Sequence, residues 1–186
     1  MNYKSRFEEM KEAPLWWNDR AQDLHASAGS LWLSMDKEYK STFSRKLGLG
    51  QGYDLGVSNI HVFYMLFGLS FELLFKSILV LRNPKQKIPE THNLLLLAEH
   101  IDIILESNER SILDLLSEYI IWVAKYPIPK KEKEMDSYYD KYSTAAVDHI
   151  VGNNYTLEKY NGALEWEQID MIWKKINELF FAEYSK

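Results

Sequence analysis

Apolar residues recur three and four positions apart along most of this chain, which is the spacing of an α-helix. A first stripe predicts a helix over about residues 15–37, with Pro14 at its start, where the missing N–H of proline costs nothing. The side chains of this stripe are Trp17, Ala21, Leu24, Ala28, Leu31 and Met35. A last stripe predicts a helix over about residues 164–184. Each of these two helices is therefore expected to bury one face.

Three further helices are predicted between them. The second helix runs to about residue 82 from a cap at Ser58 or Asn59. Thr91 is predicted to cap the third helix, and the fourth spans about residues 110–125. Prolines separate these helices because a proline cannot continue one; they are Pro84, Pro89, Pro127 and Pro129.

The stretch over about residues 126–163 has the weakest pattern and is interpreted as a less regular insertion. Tyr138, Tyr142, Ala145 and His149 keep helical spacing, which predicts a short helix that Gly152 closes. A short hairpin at about residues 152–160 is the one sheet that the pattern allows. The fold class is therefore predicted to be all-α: residues 1–186 form a single domain, a bundle of five to six helices, with more than half of the residues helical.

The amino-acid composition excludes several kinds of functional site. The 186 residues include no cysteine, which excludes disulfides, thiolate nucleophiles and cysteine-bound metals. None of the five histidines has an Asp, Glu or His three or four positions away, so no helical metal site is predicted, and no cofactor is expected. The net charge of −5 gives no general attraction for a nucleic-acid backbone.

One segment, residues 62–81, is apolar enough to imitate a membrane span. It carries Glu72 and Lys76 near its middle, and each charge would cost about 2.5–3.5 kcal/mol at the centre of a bilayer. A buried bundle helix explains the segment better, and the first residues of the chain have no apolar signal-peptide core. No membrane association and a cytoplasmic location are therefore predicted.

Glu72 and Lys76 are also candidates for a functional role. They stand four positions apart in the favourable order for an ion pair on one helix face. A charge buried alone is costly, so the two are expected to be paired. The favoured interpretation is a structural ion pair that orients neighbouring helices, and the alternative is a polar feature that lines an interface or pocket.

Three motifs resemble the HEPN family of helical bundles. Phe71-Glu-Leu-Leu-Phe-Lys-Ser is similar to the family's apolar helix interrupted by a Glu and a Lys. Thr91-His92-Asn-Leu resembles the start of the family's third helix. Ala124-Lys125-Tyr126-Pro127 resembles the Ala-Arg-Tyr-Pro sequence that ends the family's fourth helix. The match covers about residues 57–129, with a looser similarity in the last helix. It implies a four-helix core, commonly dimeric, in prokaryotic toxin–antitoxin, defence and nucleotidyltransferase-associated systems.

Many HEPN members are metal-independent ribonucleases that use an Arg followed, after four to six residues, by a His. Here Arg110, near the start of the fourth helix, has no such His. The one formal match, Arg20 and His25, lies on the first helix, and five residues on a helix separate two side chains by about 140°. These two residues are therefore weak candidates for catalysis, and the chain is interpreted as leaning towards a non-enzyme.

Three functions follow from the sequence. The first is a non-catalytic HEPN-like module that binds a partner, most simply a second copy in a homodimer, and abundant aromatic residues favour interfaces. The second is a ribonuclease with a divergent site at Arg20 and His25. The third is a binder of a nucleotide or small ligand in a pocket near Lys76 or Lys125. His92 is interpreted as fixing the start of the third helix, with ligand contact as the alternative.

Overall fold

Helices dominate the chain, which confirms the all-α prediction: 70% of the residues are helical and 6% lie in strands. The computed structural model describes residues 3–50, 52–151 and 156–186, with side chains for all of these except residues 3, 4 and 37–41. Eight α-helices and one two-stranded sheet lie within these ranges, where the sequence predicted five to six helices.

The additional helices are short and polar, so no strong apolar stripe marks them in the sequence. The α-helices in chain order are α1 (Tyr3–Glu12), α2 (Pro14–Ser34), α3 (Lys37–Lys46), α4 (Leu55–Arg82), α5 (Leu94–His100), α6 (Ser107–Glu118), α7 (Glu132–Ala146) and α8 (Trp166–Tyr184).

Helix α4 is the centre of the bundle, and α2, α5, α6 and α8 all pack against it. It begins earlier than predicted, because the Asp54 side chain accepts a hydrogen bond from the backbone N–H of Gly56 at 2.7 Å and so caps the helix. Ser58 and Asn59, the predicted caps, are the fourth and fifth residues of the helix and so lie inside it. Its most apolar stretch has a mean hydropathy of 1.7 and is 72% buried, as a core helix requires.

Helix α6 approaches α4 closely at Gly68. A Cβ atom at Gly68 would lie 2.7 Å from the Ile120 side chain and 3.1 Å from the backbone oxygen of Leu116, so no larger residue fits without a shift. Beyond α6 the chain continues as a π-helical turn, Tyr119–Val123, which the sequence pattern did not predict. The contact at Gly68 fixes the depth at which this turn sits against the core.

The segment predicted to be a less regular insertion contains α7 and a hairpin of β1 (Val147–Val151) and β2 (Thr156–Tyr160). The strands are antiparallel, with Val147 opposite Tyr160. The predicted helix over this segment was wrong at its end: it stops at Ala146, and His149 lies in β1. The predicted closing residue, Gly152, lies outside the described residues.

Polar contacts fix the remaining helix ends. Asn93, and not the predicted Thr91, caps α5 by accepting the N–H of Leu96 at 2.9 Å. Arg82, the last residue of α4, donates two hydrogen bonds to Glu183 near the end of α8, at 2.6 and 2.8 Å. The predicted last helix is confirmed as α8.

Candidate functional site

Glu72 on α4 is the centre of a buried polar network. One carboxylate oxygen lies 2.6 Å from Nζ of Lys76, and the other lies 2.7 Å from Nδ1 of His92. Glu72 is 5% exposed and Lys76 is 9% exposed, whereas His92 reaches towards solvent. The predicted Glu72–Lys76 ion pair is therefore present, and a third member from the loop before α5 joins it.

This Glu72 network has a structural role that its geometry explains. A single carboxylate satisfies an ammonium from the next turn of its own helix and an imidazole from a separate segment, which joins the start of α5 to α4. A buried charge needs such partners, because desolvation without them is expensive. His92 lies directly before Asn93, the residue that caps α5, and its ring contacts α4 through Glu72.

A second carboxylate, Asp170 on α8, is arranged in the same way. Its two oxygens lie 2.8 Å from Nε2 of His25 on α2 and 2.7 Å from Nζ of Lys174. As in the Glu72 network, the lysine follows the acid by four residues and the histidine comes from another element. This Asp170 network joins α2 to α8.

The imidazole of His25 lies among aromatic rings. It stacks on Trp173 with a centroid distance of 4.0 Å and an interplanar angle of 14°, and it contacts Trp166 and Phe67 at 5.0 and 5.3 Å. Burial lowers the pKa of His25 below its ordinary value of 6.5, although the Asp170 carboxylate acts in the opposite direction. The neutral imidazole therefore serves as a packed, hydrogen-bonded part of the α2–α8 contact.

The structure does not bring the two catalytic candidates to a common site. Arg20 is largely exposed and pairs with Asp23 on its own helix at 3.1 Å, whereas His25 pairs with Asp170. Their different partners follow from the angle between them on α2. Arg110, the other arginine considered, lies 3.6 Å from Glu99.

Lys125 is exposed just after the π-helical turn. Its backbone N–H donates to the Trp122 carbonyl at 2.9 Å. No carboxylate within the described ranges forms an ion pair with its side chain, so the structure assigns it no polar role.

Arg20 instead borders an apolar groove of about 550 Å³ at the N-terminal end of the bundle. We call it the N-terminal groove, and its lining side chains are Phe7, Met10, Lys11, Trp16, Trp17, Arg20, Leu73 and Ile88. Several of these are well exposed: Phe7 by 63% and Trp16 by 53%. The indole N–H of Trp17 donates to the Lys11 carbonyl at 3.1 Å, which holds α1 against α2.

The described residues do not form a cluster of metal ligands. Within residues 3–50, 52–151 and 156–186, no group of three or more His, Asp or Glu side chains is arranged to hold a metal ion. Each of the two central carboxylates, Glu72 and Asp170, is occupied by one histidine and one lysine.

Sequence reasoning missed Asp170, Lys174 and the N-terminal groove. The acid and lysine at positions 170 and 174 repeat the spacing of Glu72 and Lys76, and Asp170 follows Ile169 on the buried face of α8. That local spacing could have marked Asp170. The groove has no comparable signal, because it forms between α1, α2, α4 and a loop.

Comparison with known proteins identifies no relatives: no protein-family model, no curated protein and no solved structure matches the chain. The resemblance to the HEPN family therefore stays a prediction from the three motifs.

Proposed function

We propose that this chain is a non-catalytic, HEPN-like helical module of the cytoplasm that acts by binding a second copy of itself, in a toxin–antitoxin or defence system. The HEPN-like core would consist of α4, α5, α6 and α8. Support for it comes from the motif residues: Glu72 and Lys76 of the first motif and His92 of the second form one polar network. The observation that carries the self-association is the N-terminal groove.

The groove has the composition of an interface centre. Aromatic residues, Met and Arg are enriched in the buried centres of protein interfaces, and Trp and Arg carry much of their binding energy. The groove combines Phe7, Met10, Trp16 and Arg20 in one concave surface. Exposed aromatic side chains of this size are costly to leave in water, so covering them supplies a driving force.

The charges at the edge of the groove favour a second copy as the occupant. Lys11 lies 3.6 Å from Glu8, and Arg20 lies 3.1 Å from Asp23, so each cation is accompanied by an acid. In a two-fold symmetric dimer the same patch meets itself. An edge with balanced charges of both signs can face its own copy without net repulsion and can exchange these pairs across the interface.

The test is the oligomeric state of the purified protein. We expect a concentration-dependent dimer in sedimentation equilibrium, and we expect the double variant Phe7→Ser/Trp16→Ser to be monomeric. Removal of an interface hot spot costs about 2 kcal/mol or more, so the two changes together should raise the dissociation constant by roughly a thousandfold.

The matched control is Ile104→Ser, which removes an apolar side chain that is 84% exposed and does not line the groove. This variant should dimerise as the wild type does. A wild type that is monomeric up to high concentration, or a dimer that survives the double change at the groove, would contradict the proposal.

A second consequence of the non-catalytic proposal is that the protein should not cleave RNA, with or without divalent metal. His25 is largely buried against Trp173, and Arg20 belongs to a different surface. The measurement compares wild type with His25→Ala on a mixed RNA substrate. Cleavage by the wild type that disappears in His25→Ala would favour the ribonuclease alternative instead.

A further inference from the structure

Aromatic side chains from four parts of the chain surround a cleft on another face of the bundle. The cleft has a volume of about 320 Å³. We call it the tyrosine cleft, and the lining residues that matter here are Trp32, Met35, Tyr64, Tyr142, Tyr160 and Glu165. Trp32 belongs to α2, Tyr64 to α4, Tyr142 to α7 and Tyr160 to β2, whereas Glu165 directly precedes α8.

The rings are held in place from behind. Trp32 and Tyr64 both pack against Phe63, each with a centroid distance of 5.1 Å, and Tyr142 packs against Tyr138 at 6.2 Å. Within the described part of the chain, no ring contact joins two of the four cleft aromatics to each other. The rings therefore do not fill the space between them by stacking, although the Tyr160 hydroxyl interacts with Tyr64 and with the Glu165 carboxylate.

The electrostatics of this space favour a cation. Among the residues whose side chains the structure describes, Glu165 is the one charged residue in the lining, and none of them in the lining is a lysine, arginine or histidine. Burial first, and the negative charge of Glu165 second, raise the pKa of Tyr160 to about 12. Burial also raises the pKa of Tyr64 well above its ordinary value. Both phenols are therefore neutral at physiological pH and offer electron-rich rings without adding charge.

The kind of cation follows from size and hydration. A sphere of the cleft's volume has a radius of about 4 Å, and cation–π attraction acts within roughly 6 Å of a ring centroid, so the two length scales match. A metal ion that entered the cleft would exchange its hydration water for a single carboxylate, which provides too few oxygen ligands. A bare ammonium is also strongly hydrated and would lose that water on entering. A methylated ammonium has weakly hydrated methyl groups that aromatic rings can replace.

We propose that the tyrosine cleft is a binding site for a small organic cation with a methylated ammonium head group, held by the rings of Trp32, Tyr64, Tyr142 and Tyr160 and by the Glu165 carboxylate. The ammonium lies among the rings and faces the carboxylate. Tyr160 is 41% exposed, so the rest of the ligand can reach solvent beside it. This site is independent of the N-terminal groove.

The test uses choline as the probe and its neutral carbon isostere 3,3-dimethylbutan-1-ol as the control ligand, in isothermal titration calorimetry. We expect saturable one-to-one binding of choline and no saturable binding of the isostere, because the two ligands share their shape and differ in charge. Equal affinity for both ligands, or no saturable binding of choline, would overturn the proposal.

Substitutions distinguish the contribution of the rings to choline binding from that of the carboxylate. Tyr160→Leu should weaken choline binding by about tenfold, and Tyr160→Phe should weaken it by less than about threefold because the ring remains. Glu165→Gln should weaken binding and leave α8 intact, since the Glu165 side chain makes no capping hydrogen bond.

The matched control is Tyr184→Leu, which removes a tyrosine of similar exposure, 45%, from the end of α8. It should bind choline as the wild type does. Unchanged affinity in Tyr160→Leu, or an equal loss in Tyr184→Leu, would also overturn the assignment of the site.

Discussion

Replacing Glu72 with leucine is expected to lower the free energy of unfolding by about 3–5 kcal/mol, the cost of leaving a buried charge without its partner. Lys76 is 9% exposed and has its Nζ 2.6 Å from Glu72, so the change strands its ammonium in the core. Lys76→Met should cost much less, because Glu72 keeps His92 as a partner at 2.7 Å. Urea denaturation of the purified variants measures the difference.

Two further variants make this result specific to the buried pair. Glu90→Leu breaks an ion pair with Lys87 in which both side chains are more than 80% exposed, and it should cost less than about 1 kcal/mol. The double variant Glu72→Leu/Lys76→Met removes both buried charges and should recover much of the stability lost by Glu72→Leu. Equal and negligible effects of the two single changes would mean that the pair faces solvent.

Replacing Phe67 with alanine is expected to cost about 3–5 kcal/mol, because it removes a fully buried ring from the centre of the bundle. Phe67 packs against Trp166 at 5.0 Å and against Phe63 at 5.5 Å between ring centroids. Its edge also meets His25, so the cavity would open beside the Asp170 network. Thermal or urea unfolding measures the loss, and near-ultraviolet circular dichroism should report altered tryptophan packing.

The matched control for this prediction is Phe181→Ala on α8. Phe181 is 41% exposed, so its truncation creates no enclosed cavity and should cost far less. A loss of under about 1 kcal/mol from Phe67→Ala would contradict the placement of this ring at the centre of the core.

Helices with a strong apolar stripe or run were predictable from the sequence: α2 and α8 follow their stripes, and α4 contains the apolar segment of residues 62–81. The end of α7 could not be predicted from the sequence. Tyr138, Tyr142 and Ala145 do lie on one helix, but the β-branched residues Val147, Ile150 and Val151 favour a strand. His149 stands at a helical spacing from Ala145 in the sequence, but it lies in β1. Periodicity alone could therefore not locate the change from helix to strand.

In the candidate sites, too, the sequence pattern predicted contacts within one helix but not contacts between elements. Glu72 and Lys76 could be paired from the sequence because both lie on one helix, four residues apart. The partners that complete each network, His92 for Glu72 and Asp170 for His25, come from elements distant in the chain. Spacing along a helix carries no information about such pairs. The tyrosine cleft requires five elements to be placed correctly, which only the folded chain provides.

The π-helical turn after α6 determines which changes in chain length the protein can accept. Such a turn holds one residue more than an α-helix over the same stretch, and each residue of an α-helix advances by about 100° around the axis. Ile121 is exposed in this turn, whereas Trp122 is buried and donates to Glu118 at 3.0 Å. Because the turn already holds one extra residue, deletion of the exposed Ile121 would return it to α-helical winding and leave Trp122 on the buried face. Insertion of a residue before Trp122 would instead rotate it by about 100° towards solvent and break its hydrogen bond to Glu118. A one-residue deletion in this turn is therefore better tolerated than a one-residue insertion.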